Sequence, residues 1–205
     1  LGLSSDTFLA DQISELETKT FLTNSDAHSL PKIAREYNKM YMEDISFKEL
    51  MKAIRNEEGR KILSNYGLDP KLGKYHRTYC EICDKRIEGK MPVTKCDTCD
   101  SRNITMGVLD RIEIIKDKKE TKSPNFRAPY IYQIPLQFIP GVGPKVINKL
   151  LDNFETEMNI LHKLSFDDIE AVCGAKIARN IIDAKCGNLA ISAGGGGVYG
   201  KVSNK

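Results

Sequence analysis

Polar and apolar positions change period several times along the chain, and each change marks a predicted element. Residues 5–20 are mostly polar and predicted helical. KTFLTNSD (19–26) then has the β-branched and apolar character of a short strand. Pro31 suits the first position of a helix. Residues 32–55 read as that helix, broken near Glu43 and Asp44. Within that stretch Ser46 and Glu49 have capping-box spacing, ahead of an apolar stripe of Phe47, Leu50, Met51 and Ile54. Strand, loop and helix in this order predict a βα unit, which cannot bury its own sheet alone.

After Gly59 the pattern weakens into turn-rich sequence. MGVLDRIEIIKDKK (106–119) is predicted helical, with Val108, Leu109, Ile112 and Ile115 apolar. Residues 116–129 form a charged, proline-containing linker, 130–187 read as short helices, and SAGGGGVYGKVSNK (192–205) reads as a flexible glycine-rich tail. The expectation is a multidomain α+β chain with segments 1–66, 67–122, 123–190 and 191–205.

Composition narrows the class. Hydrophobic residues make up 40% and charged residues 29% of 205 positions, which allows a buried core. No apolar run reaches 18 residues and no secretory pattern opens the chain, so a cytoplasmic protein without a membrane partner is expected. A start at Leu1 suggests a piece of something longer. Net charge is only +3, yet residues 52–127 carry 18 Lys and Arg against 12 Asp and Glu. That basic middle suits a phosphate-rich partner, although a solvated charged surface explains it too.

Cys80, Cys83, Cys96 and Cys99 form CxxC-x12-CxxC. Two residues between thiols let both sulfurs of a tight turn face one ion, and two such turns complete a tetrahedral site. Structural zinc is expected, because a module this small has little core and metal binding would supply much of its folding energy. Cys173 and Cys186 are expected to be small buried hydrophobes, and His76 and His162 ordinary surface or linker residues.

In PLQFIPGVGPKVINKLL, Gly141, Val142 and Gly143 precede Pro144 and Lys145. The glycines allow a sharp turn and close backbone approach, and the helix start behind them favours an anion. Lys145 and Lys149, one turn apart, add charge to the same contact. A degenerate second copy comes next, with Gly174, Lys176 and Arg179 in the corresponding roles and Cys173 replacing the first glycine. The pattern resembles tandem helix-hairpin-helix motifs, which grip a nucleic-acid backbone largely without reading sequence.

Asp26 and His28, after the predicted strand, are ligand types for a divalent metal. With TNSDAHS, YHRTYCEICDKRI, CDTCDSRNITMGVLDRI, FIPGVGPK and VYGKV, the order of modules resembles the C-terminal half of the endonuclease Q family, in the PHP (polymerase and histidinol phosphatase) superfamily. The resemblance covers nearly the whole chain. It implies the end of a distorted (βα)7 barrel, a zinc-ribbon-like module and an all-α helix-hairpin-helix region. It also implies DNA backbone cleavage at uracil, hypoxanthine or abasic sites. Asp26 and His28 would be two ligands of a cluster of Zn, Mn, Mg or Fe, with no small-molecule cofactor. The chain departs from that pattern: with three histidines in all, and no counterpart of the earlier ligand motifs, the cluster cannot be assembled and the chain alone is expected to be inactive. A non-catalytic zinc and helix-hairpin-helix scaffold, as in DNA ligases and recombination proteins, remains the alternative.

Overall fold

Extended pairing, rather than helix, organises the first third of the protein. The computed structural model describes residues 1–205 and divides into two units, Leu1–Tyr132 with Ala193–Tyr199, and Gln133–Ser192 with Gly200–Lys205.

In the first unit, helix α1 (Thr7–Ala10) is a single turn capped by Asp6, whose carboxylate accepts from Leu9 N. The segment expected as a strand, 19–26, has no ladder of its own. Side-chain amides hold it instead. Asn38 accepts from Thr23 N at 2.8 Å and donates to Thr23 O at 2.8 Å, and Asn65 donates to Phe21 O at 3.0 Å.

Part of the long predicted helix is strand β1 (Tyr37–Tyr41), antiparallel to β2 (Lys61–Leu68). Tyr37 and Tyr66 lie opposite one another with rings stacked at 4.4 Å. Pairing with a strand distant in sequence overrides the local helical pattern. Strand β6 (Tyr130–Gln133) completes the sheet in the order β1-β2-β6. The strand expected at 19–26 forms no ladder, and the strand that does form, β1, pairs antiparallel with β2, so the expected strand–loop–helix unit is not what this region forms.

Helix α2 (Phe47–Arg55) begins at Ser46 as expected, with Ser46 Oγ accepting from Glu49 N. Its buried residues are Glu49 and Ala53, whereas Phe47 is exposed. Glu49 does not close the capping box. Its carboxylate takes Arg60 Nε at 2.7 Å and Glu43 N at 3.1 Å, which hold its pKa down to about 2.

Residues 116–129 are pinned rather than loose. Arg127 is buried, paired with Asp11 at 2.9 Å, and donates to the carbonyls of Leu16, Glu17 and Lys19 while its guanidinium covers the Phe21 ring. One planar fork thereby satisfies a carboxylate and three carbonyls.

The second unit is helical: α4 (Pro144–Phe154), α5 (Glu157–His162), α6 (Phe166–Cys173) and α7 (Ala175–Lys185), packed around Leu136, Leu150, Ile160, Ile169 and Ile181. Their predecessor α3 (Val108–Ile115) belongs to the first unit. The glycine-rich tail is ordered: β7 (Ala190–Ser192) pairs antiparallel with β8 (Lys201–Ser203). No helix is long and apolar enough to cross a membrane.

Candidate metal centres and nucleic-acid interface

Three short strands frame the cysteines: β3 (Tyr79–Cys80), with β4 (Lys85–Arg86) and β5 (Ile104–Thr105) on either side. The sulfurs of Cys80, Cys83, Cys96 and Cys99 lie within 4.8 Å of one another, as the spacing predicts, so the group could hold a metal ion. Both CxxC turns share a backbone plan. The residue after each pair, Asp84 and Asp100, is left-handed, with φ of 53° and 57°. Backbone N–H groups point at sulfur in both, from Cys83 to Cys80 at 3.3 Å and from Thr98 to Cys96 at 3.4 Å. The N–H groups of Cys99 and Thr98 lower the Cys96 thiol, whereas the neighbouring Cys99 sulfur and desolvation raise that of Cys83, so one thiol releases its proton ahead of another in the same group. Ile87 and Val93 pack with Cys80 and Cys96 in a small buried cluster.

The module is tied to α3 by a carboxylate. Asp110, fully buried, accepts from Thr78 N at 3.2 Å, Thr78 Oγ1 at 2.8 Å and Val93 N at 3.0 Å, with Arg77 Nε 3.5 Å away. The sequence gives no sign of this role, because an acid in a charged helix reads as solvated.

Asp26 and His28 lie on a loop before a 3-10 turn at Leu30–Lys32, not a helix. Asp26 Oδ1 is 3.4 Å from His28 Nε2, and both side chains are about four-fifths exposed. No third imidazole, thiol or carboxylate joins them within metal-binding reach. Asp26 is left-handed with φ 45° and Ala34 with φ 58°. The loop between them is braced by Arg35, a residue without any motif to single it out in the sequence. Arg35 is buried against Glu36, with Nε 3.0 Å from Oε1, and donates to Ser25 O at 2.9 Å and to the Tyr199 hydroxyl at 3.3 Å. Burial pushes the Glu36 carboxyl up to about 7, Arg35 offsets this only in part, and Asp26 adds to it.

Tyr199 arrives from the glycine-rich tail. Gly195 bridges Arg77, and a Cβ at Gly196 would lie 2.4 Å from the Tyr79 ring, so the backbone must pass close there. The tail is therefore a docking strand, where composition alone suggests flexibility.

In the helical unit, Gly141 is left-handed with φ 79°, Val142 is buried, and Gly143 caps α4. The arm before this turn is only a 3-10 segment, Leu136–Phe138, so the first copy lacks its leading α-helix. The second copy has both helices, α6 and α7, joined at Gly174 with φ 81°. Both α4 and α7 begin behind a glycine without a side-chain cap, leaving N–H groups open. Lys145 and Lys149, and Lys176 and Arg179, are exposed beside those starts. Asn180, which carries no sequence signal, is buried and donates to Pro140 O at 2.8 Å, which ties the two hairpins together.

The remaining expectations fare differently. His76 is buried, and burial lowers its pKa. His162 is exposed, as expected of a surface histidine, and bonds Gln133 at 2.9 Å, so only His76 departs from the expectation. Cys173 is half-buried, but Cys186 is exposed rather than core.

Comparison with known proteins gives one consistent direction. Residues 6–58 match a family described as PHP-associated. An uncharacterized Bacillus subtilis protein, YqxK, is 47% identical over 203 residues, covering 98% of this chain and 51% of its own length. MJ0043 of Methanocaldococcus jannaschii is 38% identical over 225 residues, 28% of its length. Among solved structures, the lesion-specific endonuclease Q of Pyrococcus furiosus matches all of this chain at TM-score 0.81 and 35% identity, over 54% of its length. An endonuclease Q complexed with a 27-mer duplex bearing an abasic lesion at the active site matches at TM-score 0.85 and 34% identity, over 55% of its length. The chain thus spans about half the length of YqxK and of these structures. It is structurally similar, along its whole length, to part of endonuclease Q, of which the Pyrococcus furiosus protein is described as lesion-specific.

Proposed function

We propose that this chain is the zinc-binding and DNA-binding part of a metal-dependent DNA-repair endonuclease that cuts the backbone beside deaminated bases or abasic sites. The observation that carries the reading is likeness over the full chain to an endonuclease Q seen with an abasic duplex. In this reading the four cysteines hold a structural zinc. Asp26 and His28 give two donors to a catalytic metal site whose other ligands lie outside this chain. A divalent metal bound there would activate water and clamp the phosphate. The open helix starts at Gly143 and Gly174, with Lys145, Lys149, Lys176 and Arg179, grip the duplex backbone irrespective of sequence.

The test measures binding and Mn2+-dependent cutting of uracil, hypoxanthine and abasic duplexes. This chain is compared with a fusion carrying the N-terminal half of YqxK ahead of it. We expect the chain alone to bind without cutting, and the fusion to cut. Asp26→Ala in the fusion should abolish cutting while leaving binding intact. Robust cutting by the 205-residue chain, or no duplex binding by it, overturns the reading.

A further inference from the structure

A cleft of about 550 Å³ opens beside the Asp26–His28 loop. That size lies within the range of roughly 300–1,000 Å³ in which pockets hold small ligands. Asp26, His28, Lys32, Lys74, Tyr75 and Tyr199 line it, so separate stretches of chain converge there.

Its charge is organised in a particular way. The Arg35 guanidinium is held by Glu36, Ser25 O and the Tyr199 hydroxyl, whereas Lys32 and Lys74 enter no ion pair, and Asp26 is the one acid on the wall. The Lys74 ammonium sits 4.8 Å over the Tyr199 ring. Tyr199 is itself fixed at its hydroxyl by Arg35. An aromatic face orients an ammonium without neutralising it, unlike a carboxylate. The backbone is fixed as well: Lys74 O accepts from Gly197 N at 3.1 Å, and Tyr75 is tied at N to Ser4 Oγ and at O to Val108 N. Lys74 is thus held in place with its charge left over. Beside it, Tyr75 is half exposed and offers an open ring.

Two uncommitted ammonium groups next to an open aromatic face match the chemistry of a nucleotide. The phosphate has its counter-charges, and a base or sugar has a surface to lie on. We propose that this cleft seats one nucleotide of the DNA strand passing the Asp26–His28 loop, its phosphate between Lys32 and Lys74 and its base or sugar against Tyr75. The proposal rests on the reading of the chain as DNA-binding, and adds a second contact separate in sequence from the helical hairpins. It also gives the glycine-rich tail a task, which is to place Tyr199 beneath Lys74.

The test is an amide NMR titration of the zinc-loaded 205-residue chain, without added divalent metal. The probes are a 5′-phosphorylated tetrathymidylate and, separately, inorganic phosphate. We expect the oligonucleotide to move the resonances of Lys32, Lys74, Tyr75 and Tyr199. Lys74→Glu should weaken that response about tenfold, in line with loss of a phosphate contact. Tyr75→Ala should weaken the oligonucleotide but not inorganic phosphate. Unmoved cleft resonances, or a response to inorganic phosphate as strong as to the oligonucleotide, overturn the proposal. Tyr199→Phe is a milder second variant: it should loosen exchange protection at 25–28 while the fold is retained. Because the titration needs no cutting, a fusion that fails to cleave would refute the nuclease reading and leave this subsite standing.

Discussion

The four-cysteine module and the Asp26–His28 loop are both candidate metal sites, and they are built in opposite ways. In the module every ligand is local. Each turn brings two sulfurs together, backbone N–H groups point at them, and the second turn closes the site. Left-handed Asp84 and Asp100 are part of the turns themselves. The loop offers two exposed donors, and the Ser25 carbonyl beside left-handed Asp26 is held by Arg35, which Glu36 and the distant Tyr199 engage in turn. An ion enclosed by four thiolates has no position left for water and can only hold structure. An ion reached by one carboxylate and one imidazole keeps room for water and phosphate, provided other donors arrive. The difference separates a closed donor set from an open one within a single chain.

The sharpest way to break this contrast is to remove the staple. Structural zinc sites contribute an apparent binding energy of about 10–16 kcal/mol near neutral pH. The buried cluster of Cys80, Ile87, Val93 and Cys96 is too small to replace it. Cys80→Ser, or exhaustive chelation, should therefore unfold residues 79–105. The checks are elemental analysis, at one zinc per chain before treatment, and hydrogen exchange across 79–105 afterwards. Retained protection without metal would make the cysteines incidental.

Next in size is Asp110, which joins the module to α3. Asp110→Ala strands Thr78 N and Val93 N in a buried site. Breaking a buried, hydrogen-bonded charge costs about 3–5 kcal/mol, readable in urea unfolding. Asp110→Asn keeps an acceptor and should lose less. Equal losses would mean that volume, not hydrogen bonding, is what Asp110 supplies.

These two regions also differ in how plainly the sequence shows them. A CxxC turn encodes its geometry in four residues, so its spacing alone predicts the site. The Asp26–His28 loop depends on Arg35, Glu36 and Tyr199, and nothing local says that residue 199 will come to residue 35. Strand β1 is hidden for the same reason: its partner is β2, and pairing across that distance outweighs a helical pattern. Helix α2 misleads differently: Leu50, Met51 and Ile54 of the predicted stripe are half-buried, but Phe47 is exposed and Glu49, held by Arg60, is buried. The tail misleads because glycines signal flexibility in isolation, whereas here they allow close backbone approach to Arg77 and Tyr79. The hairpin glycines are legible because the turn they make is local, although the arm ahead of Gly141 is a 3-10 turn.

The helical unit gives a test independent of both metal sites. Lys145 is exposed beside an open helix start. Lys145→Glu should lower duplex affinity about tenfold and reduce the salt dependence by about one counterion. Lys176→Glu should do the same to a smaller degree if the second hairpin contributes. Titrations at several salt concentrations check both. An unchanged slope would assign the backbone grip elsewhere, the cleft beside Asp26 being the first place to look.

The smallest expected effect is the one that tests how the loop is held. Glu36 is buried with a carboxyl raised to about 7 from the usual 4.5. Between those two values the folded protein keeps a proton that the unfolded chain has released. Folding therefore binds protons in that window, and stability falls as pH rises through it. Asp26 adds to the rise and Arg35 opposes it, so the effect is linked to the loop itself. His76, with its pKa lowered by burial, works in the other direction. Its neutral folded form gains stability as pH rises toward 6.5. The two must be separated by difference. Glu36→Gln should remove the downward part, by about 1–3 kcal/mol across the window, and leave the His76 part. Urea unfolding of both proteins at several pH values from 4.5 to 7 measures it. If their difference is flat with pH, Glu36 titrates as an ordinary carboxylate, and the Arg35 brace is a fully charged pair. The Asp26–His28 loop would then rest on an ion pair at every pH in the window, and its support would carry no proton at all.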